Sequence, residues 1–360
     1  MTRVVAAMSG GVDSSVAAAL LAKERGEDEI IGVWMRTHGD MPEGYELSRS
    51  CCSPDAADDA RRVAQILDIP FFILNVEKEF GARVIDAFVD AYLDGATPNP
   101  CQACNQYIKF DELLKRGLAA YGADAVATGH YARLEHRDGR WRLMRAADTN
   151  KDQTYFLWVL DQEQLSRTRF PLGELTKPEV RSIAGDLTLP TAQKPESQEI
   201  CFVPLGDYRT LLEERRGYAG EPGPIVDAEG TRLGTHTGYA HYTVGQRHGL
   251  GVALGEAVYV REVQPKSNTV VVGRRDEVAQ RSFAVDGGRF TAGDPPAERF
   301  AASVRIRHRA PYVACEVTMV GRDRFVVETA EPVWAPAPGQ GAVLYDGDEC
   351  IGGGRIARQG

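Results

Sequence analysis

Residues Met8-Ser9-Gly10-Gly11-Val12-Asp13-Ser14-Ser15 follow a short apolar run, Val4-Val5-Ala6-Ala7. They precede a helical pattern with Val16, Leu20 and Leu21 on one side. A strand, a tight Gly-Gly turn and a helix start leave backbone N–H groups pointing at one spot, and such a cradle takes phosphate. The segment lacks the Gly-Lys-Ser/Thr of the commoner nucleoside-triphosphate loop. It also lacks the third glycine of a dinucleotide loop, in which Asp13 would face a pyrophosphate. An acid inside a phosphate cradle makes sense when a magnesium ion stands between the two, which makes Asp13 the candidate metal ligand.

The remaining composition sets limits. A chain of 360 residues suggests two or three domains with ample core. No apolar run is long enough to span a bilayer. Arg3 precedes only a short run that the Gly-Gly loop interrupts, so no signal peptide is expected and the chain is read as cytoplasmic. The net charge of −9 argues against a protein that coats nucleic acid non-specifically. It leaves room for a local basic surface, and Arg305, Arg307, His308 and Arg309 offer one, although a solvated strand face explains them equally well. Seven cysteines, an odd number in such a chain, speak against a disulfide framework.

The first half alternates strand and helix signals, with strands at 3–8, 30–35, 71–76 and 124–128. Helices are expected at 13–25, closed by Gly26, and from Ser53-Pro54, with Ser53 as N-cap. The second carries the stripe Ala56, Ala60, Val63 and Leu67, and a further stripe is Phe80, Val84, Phe88 and Tyr92. Strands separated by helices imply a parallel sheet covered on both faces. Ligands of such sheets bind beyond the carboxyl ends of the strands, which puts Ser9–Ser14, Met35 and Gly129-His130 on one rim. Arg133–Arg145 has the pattern of a hairpin closed by Asp138-Gly139. After about residue 204 glycine and proline become frequent and alternation takes over. The expected architecture is therefore α/β, with an N-terminal parallel-sheet domain at 1–203 followed by two smaller β-rich domains, at 204–276 and 277–360.

Asn99-Pro100-Cys101-Gln102-Ala103-Cys104-Asn105 has the look of a shaped, exposed loop. A Cys-x-x-Cys pair can be a redox couple, half a metal site, a nucleophile with a helper, or two buried thiols. No second Cys-x-x-Cys or His pair completes a zinc ribbon. Cys201, in Glu196-Ser197-Gln198-Glu199-Ile200-Cys201-Phe202, is a candidate partner in sulfur chemistry. Lys151-Asp152-Gln153-Thr154 suits a helix N-terminus, with Asp152 near its positive end. Cys51-Cys52 precedes a helix start and is read as packing; Cys315 and Cys350 sit in β patterns as core or surface thiols.

The first loop resembles the PP-loop of enzymes that split ATP into AMP and pyrophosphate. Over nearly its full length the chain resembles the tRNA-specific 2-thiouridylases, bacterial enzymes that thiolate C2 of the wobble uridine, position 34. The resemblance rests on Ser9–Ser15, Asn99–Asn105, Ile108-Lys109-Phe110, Ala127–Tyr131, Lys151–Leu157, Glu196–Phe202, Tyr242–Arg247 and Pro338-Gly339-Gln340. It implies a PP-loop fold, and ATP with Mg2+ bound by Ala7, Met8, Ser9, Gly10, Gly11, Val12, Asp13 and Ser14. Met35 and Gly129 would line the adenosine pocket. Cys104 would be the nucleophile, and Cys201 would carry incoming sulfur as a persulfide.

By the same resemblance Asn99, Pro100 and Cys101 would lie against the target base. His130, Lys151, Asp152, Gln153, Arg307, His308 and Gln340 would touch the anticodon stem-loop of tRNA. Sulfur would arrive from a cysteine desulfurase, directly or through a relay protein. Some relatives carry Asp at the position of Cys101, and the three thiols Cys101, Cys104 and Cys201 are equally a ligand set for a [4Fe–4S] cluster. Outside this family, another PP-loop ligase or a non-enzymatic RNA-binding protein with a vestigial nucleotide fold are the competing classes.

Overall fold

The computed structural model describes residues 2–24, 26, 28–38, 54–195, 200–203, 207–252 and 255–358. Cys51, Cys52, the expected N-cap Ser53 and the run 196–199 lie outside the described residues. The first unit is the expected parallel sheet. Strands β1 (Arg3–Ala7), β2 (Glu29–Arg36), β3 (Phe71–Asn75), β4 (Ala125–Ala127) and the two-residue β7 (Thr168–Arg169) pair all-parallel in the order β3-β2-β1-β4-β7. Central strands are read as unbroken apolar runs because helices cover both faces. On one face α1 (Val12–Glu24) and α2 (Pro54–Ile66) bury Val16, Ala17, Ala60 and Val63 against Val4, Ala6 and Ile30. On the other, Leu113 and Leu114 pack on Val5, Ile31 and Val33. The stripe Phe80, Val84, Phe88 and Tyr92 runs along one continuous helical stretch whose middle, Gly81–Asp86, is wound as a π-helix. It packs against Phe202, Leu211 and Leu212.

The segment at 99–104 departs from expectation. It is not a loop. Asn99 caps a helix, Pro100–Cys104, by accepting a hydrogen bond from the Gln102 N–H, and Pro100 occupies the first turn. That helix continues without a break into Asn105–Glu112 and Leu113–Tyr121. The Asn-Pro pair taken as loop punctuation is a helix start, and both cysteines sit on its first turns.

Two β units follow. The smaller is a four-stranded sheet of β8 (Gly223–Val226), β9 (Arg232–His236), β10 (Tyr259–Gln264) and β11 (Thr269–Gly273), ordered β10-β11-β8-β9. The larger joins β12 (Ala279–Phe290), β13 (Arg299–Arg305), β14 (Val313–Met319), β15 (Phe325–Trp334), β16 (Gly341–Asp346) and β17 (Glu349–Ile356). Pairing of β12 with β17 closes these six strands into a barrel. The hairpin β5 (Arg133–Arg137) and β6 (Arg140–Met144) forms as expected, with Asp138 and Gly139 both at positive φ. Its outer partner is unexpected: β6 pairs with β17, so a hairpin from the first half of the chain extends the sheet of the last. Cys315 and Cys350 are core residues of this unit. Among the described residues no helix is long and apolar enough to cross a membrane.

A buried polar knot ties the first unit to the barrel. Asp152, 1% exposed, accepts hydrogen bonds from the Ala146 N–H (3.2 Å) and the Thr154 hydroxyl (2.8 Å). Arg305 of the barrel lies 3.7 Å from the same carboxylate, and the Tyr345 hydroxyl is 3.2 Å from that of Thr154. In this structure the Asp152 carboxylate is turned inward, and Arg305 is held by Asp152, Tyr312 and the Ala310 carbonyl. Removing one partner of a buried ion pair leaves the other uncompensated. Asp152→Ala is expected to destabilise the protein by about 3 kcal/mol, read as a lowered denaturation midpoint, and Asp152→Asn by less, because its amide oxygen still accepts from Ala146 and Thr154.

Candidate active site

The carboxyl ends of β1, β2 and β4 open into a cleft of about 340 Å³. Its floor is the loop after β1. There the Ser14 hydroxyl accepts from the Ser9 N–H (3.1 Å) and donates to the Gly11 carbonyl (3.0 Å), which closes the turn on itself. Gly10 has φ of +71°, and a Cβ there would stand 2.1 Å from the Ala56 carbonyl oxygen, so only glycine lets α2 approach the loop this closely. A Cβ on Gly129 would meet the Asp13 and Ser14 backbone at 2.7 Å, which brings the end of β4 onto the start of α1. Ala7, Met8, Ser9, Asp13 and Ser14 line the cleft, with Met35 and Gly129 beside them. Gly10, Gly11 and Val12 shape the turn and do not line it.

Asp13 carries the charge of this floor. Its Oδ1 accepts a hydrogen bond from the Tyr131 hydroxyl at 2.8 Å and is ion-paired with the Lys177 ammonium at 2.6 Å. Lys177 is the first residue of helix Lys177–Asp186, whose entry is fixed by Glu179 accepting from the Thr176 N–H (2.7 Å). A second ammonium, that of Lys194, reaches the Gly10 carbonyl at 3.0 Å and Asp59 at 2.7 Å. Two cations, Lys177 buried and Lys194 half-buried, thus flank the cradle, and the sequence reading missed both. Thr176-Lys177-Pro178-Glu179 is a legible helix start, yet nothing local signals a partner 164 residues upstream.

The opposite wall of the same cleft holds sulfur. Cys101, Cys104 and Cys201 all line it. Cys104 and Cys201 are half-buried against the cluster that contains Phe80, Val84 and Phe202, whereas Cys101 is exposed. Pro100, His130 and Gln153 also line the cleft. His130 is buried; its Nδ1 is 2.8 Å from the Thr128 hydroxyl, and burial, aided by nearby Lys109, holds the imidazole well below its usual range. It is a neutral ring at neutral pH. Gln153 is a structural acceptor for the Tyr131 N–H at 2.9 Å.

The remaining expected tRNA contacts lie outside this cleft. Gln340, in the turn before β16, donates to the Thr97 carbonyl (3.0 Å) and the Pro98 carbonyl (3.3 Å). It braces the strand of chain that leads to Asn99. Arg307 donates to the Ala335 carbonyl at 2.8 Å, so its guanidinium is partly committed inside the barrel. His308 packs its ring 4.6 Å from that of Phe156. Burial, with Arg305, Arg309 and Lys151 adding repulsion, pushes its imidazole down to about 4. Lys151 stands at the rim beside this group, on the turn before Asp152.

Among the described residues no three His, Cys, Asp or Glu side chains are grouped so as to hold a metal ion. The arrangement offers instead an anion cradle with one carboxylate, braced by two ammonium groups, in the same cleft as the thiols. A neutral His308 presents a ring packed against Phe156 rather than a cation. Because its folded-state value lies below the ~6.5 of a free imidazole, the stability it supports is complete above that pH and declines as the pH falls towards 4. An NMR titration of the His308 ring is expected to show protonation only near pH 4; a midpoint near 6.5 would mean a solvated ring.

Comparison with known proteins adds the family. A family model described as tRNA methyl transferase HUP domain matches residues 2–205. Models described as tRNA methyl transferase PRC-barrel domain and aminomethyltransferase beta-barrel domain match 209–274 and 280–356. The chain is 49% identical to the tRNA-specific 2-thiouridylase MnmA of Carboxydothermus hydrogenoformans, over 99% of this chain and 98% of that protein. It is 48% identical to the Chloroflexus aggregans enzyme of the same name, over 99% of each. With the Geotalea uraniireducens enzyme of that name the identity is 50%, over 98% of this chain and 94% of the other. A parallel-sheet domain with a phosphate cradle, two β units behind it and this degree of identity along the whole length place the chain in the tRNA-specific 2-thiouridylase family.

Proposed function

We propose that this protein is an ATP-dependent tRNA sulfurtransferase that converts the wobble uridine at position 34 to 2-thiouridine and releases AMP and pyrophosphate. The observation that carries the reading is the shared cleft: the loop at 9–14 and the thiols of Cys104 and Cys201 face one cavity. A PP-loop ligase without sulfur chemistry needs no such thiols, and a non-enzymatic RNA-binding protein needs neither half of the cleft. The membership of a family named for tRNA 2-thiolation and the intact cradle favour the enzyme.

The chemistry follows from what the substrate lacks. The C2 carbonyl of uridine is a poor electrophile, and its oxygen is a poor leaving group. Attack of that oxygen on the α-phosphorus of ATP converts it to an adenylate and expels pyrophosphate. Backbone N–H groups at the start of α1 face the charge that develops on the departing phosphates, while Lys177, paired with Asp13, and Lys194, bonded to the Gly10 carbonyl, hold that loop and its carboxylate in position. Magnesium arriving with ATP neutralises phosphate charge, with Asp13 as the residue to hold it. Sulfur then enters from a persulfide on Cys201. Its terminal sulfur attacks C2 directly, after which Cys104 attacks the Cys201 sulfur, breaks the S–S bond and frees the thiolated base, or Cys104 attacks the persulfide first and releases sulfide that attacks C2; AMP leaves in either case. Both routes end in a Cys104–Cys201 disulfide. Persulfide sulfur comes from a cysteine desulfurase, directly or by relay, and the setting is the cytoplasm.

The loop that carries position 34 is unpaired, so turning its base into the cleft costs little. Asn99, Pro100 and Cys101 at the cleft mouth would meet that base, with Lys151, Gln153, Arg307, His308 and Gln340 around it. A [4Fe–4S] cluster on Cys101, Cys104 and Cys201 is the other chemistry for such a site. The three thiols line one wall, but they are not grouped as a ligand set. The residues as arranged do not fit the cluster, and no step is routed through it.

Cys104→Ser and Cys201→Ser are each expected to lower 2-thiouridine formation by at least about 10²-fold while leaving ATP binding nearly intact. Incubation of unmodified tRNA with ATP, magnesium and a sulfur donor, followed by nucleoside analysis, checks this; full activity in both variants would remove sulfur transfer from the reading. Lys177→Met is expected to slow pyrophosphate release on the order of 10²-fold, with Lys177→Arg intermediate, as measured by a coupled phosphate assay.

A further inference from the structure

We propose that Cys101 is the resolving thiol of this site: it takes over the disulfide left by sulfur transfer and passes it to an external dithiol. The inference rests on the sulfurtransferase reading above. Its starting point is an asymmetry among three thiols that share one cleft wall. Cys104 and Cys201 are half-buried and packed on an apolar cluster, and Cys101 alone is exposed. The disulfide that ends each turnover joins the two sheltered sulfurs. Both of those sulfurs line the cleft into which the tRNA base is turned, so a reductant reaching the bond through it competes with that base.

The helix at Pro100–Cys104 supplies the way out. Cys101 and Cys104 are three residues apart on one helical turn. Neighbours at that spacing have Cβ atoms ~5–6 Å apart in a regular helix, and the first turn of a helix has one end unbound by the backbone ladder, so it relaxes towards the ~3.5–4.5 Å that a disulfide needs. The thiols line the wall without grouping around one point, which suits serial exchange between neighbours better than joint binding of a metal. Family relatives with Asp at this position would lack the relay, so the inference concerns this chain's own residue.

The electrons balance as follows. The terminal sulfur of the Cys201 persulfide leaves at the sulfide level, and the two electrons it gains come from the Cys104 and Cys201 sulfurs, which become a disulfide. The Cys101 thiolate attacks the Cys104 sulfur. The Cys104–Cys201 bond breaks, the Cys101–Cys104 bond forms, and Cys201 departs as a thiolate that takes up the proton Cys101 gave. Cys201 is then ready for a new persulfide. An external dithiol reduces the Cys101–Cys104 bond at the cleft mouth, giving two electrons and two protons and becoming a disulfide itself.

The test uses the full-length protein. Cys201 is charged with sulfur by L-cysteine and a cysteine desulfurase, small molecules are removed, and one turnover is run with unmodified tRNA, ATP and magnesium without reductant. Thiols are then alkylated and the peptides weighed. In the wild-type chain the relay requires alkylated Cys201 and a Cys101–Cys104 peptide lighter by two hydrogens, in proportion to the 2-thiouridine formed. In Cys101→Ser it requires a cross-linked Cys104–Cys201 pair and, with dithiothreitol as the dithiol, a multiple-turnover rate lowered about tenfold. A structural or base-contact role for Cys101 would change rates but not which disulfide accumulates. Thiolated tRNA together with a persistent Cys104–Cys201 bond in the wild-type chain would overturn the relay alone. A wild-type chain that makes no thiolated tRNA would overturn the functional reading and the relay with it.

Discussion

The backbone of the loop at 9–14 is held from two sides by contacts that admit no side chain. The carbonyl of Ala56 sits where a Cβ of residue 10 would be, and the backbone of Asp13 and Ser14 sits where a Cβ of residue 129 would be. Close packing of this kind cannot yield by a few tenths of an ångström without moving α2 or β4. The N–H cradle is thereby fixed relative to the sheet before any ligand arrives. A preorganised set of dipoles stabilises developing phosphate charge without spending energy on reorientation, and that is the condition under which backbone groups and ammonium ions contribute most to catalysis. The Asp13–Lys177 pair serves the same end, since each group keeps the other in place inside a partly buried site.

The thiol wall has an equivalent support, and it comes from a different domain. Gln340 holds the carbonyls of Thr97 and Pro98, the Gln102 amide donates to the Tyr155 carbonyl at 3.1 Å, and the Tyr155 hydroxyl donates to the Gly341 carbonyl at 3.1 Å. A Cβ on Gly341 would collide with the Gln102 side chain. The turn before β16 is thus seated directly against the helix that carries Cys101 and Cys104. Residues that a family resemblance assigns to RNA contact, among them Gln340 and Asp152, are placed by the structure in the joint between catalytic domain and barrel. The joint makes the barrel part of the scaffold that holds the thiol-bearing helix.

How much of this was legible in the sequence depended on whether the signal was local. The strand–Gly-Gly–helix unit, the stripes on α2 and on the helix from Glu77 to Leu93, and the Asp138-Gly139 hairpin turn are written in neighbouring residues, and all appear where expected. The Asn99-Pro100 pair was misjudged because asparagine and proline begin loops and helices alike, and only the continuation through Ile108 and Leu113 decides for the helix. Lys177 and Lys194 could not be found, because an ion pair over such a separation leaves no trace in spacing. The basic cluster at 305–309 was ambiguous for a related reason. Whether a guanidinium faces phosphate or a buried carboxylate depends on Asp152, which lies in another domain.

The hairpin at 133–144 carries one more implication. Strand β6 finds its outer partner only in Glu349 and Cys350 of β17, about two hundred positions later in the chain. During synthesis on the ribosome that strand edge emerges long before its mate. A nascent chain thus presents an open row of peptide donors and acceptors until the last strand is released. The order of folding is constrained accordingly: the nucleotide-binding sheet can assemble as it emerges, while the seal between the halves must wait for β17.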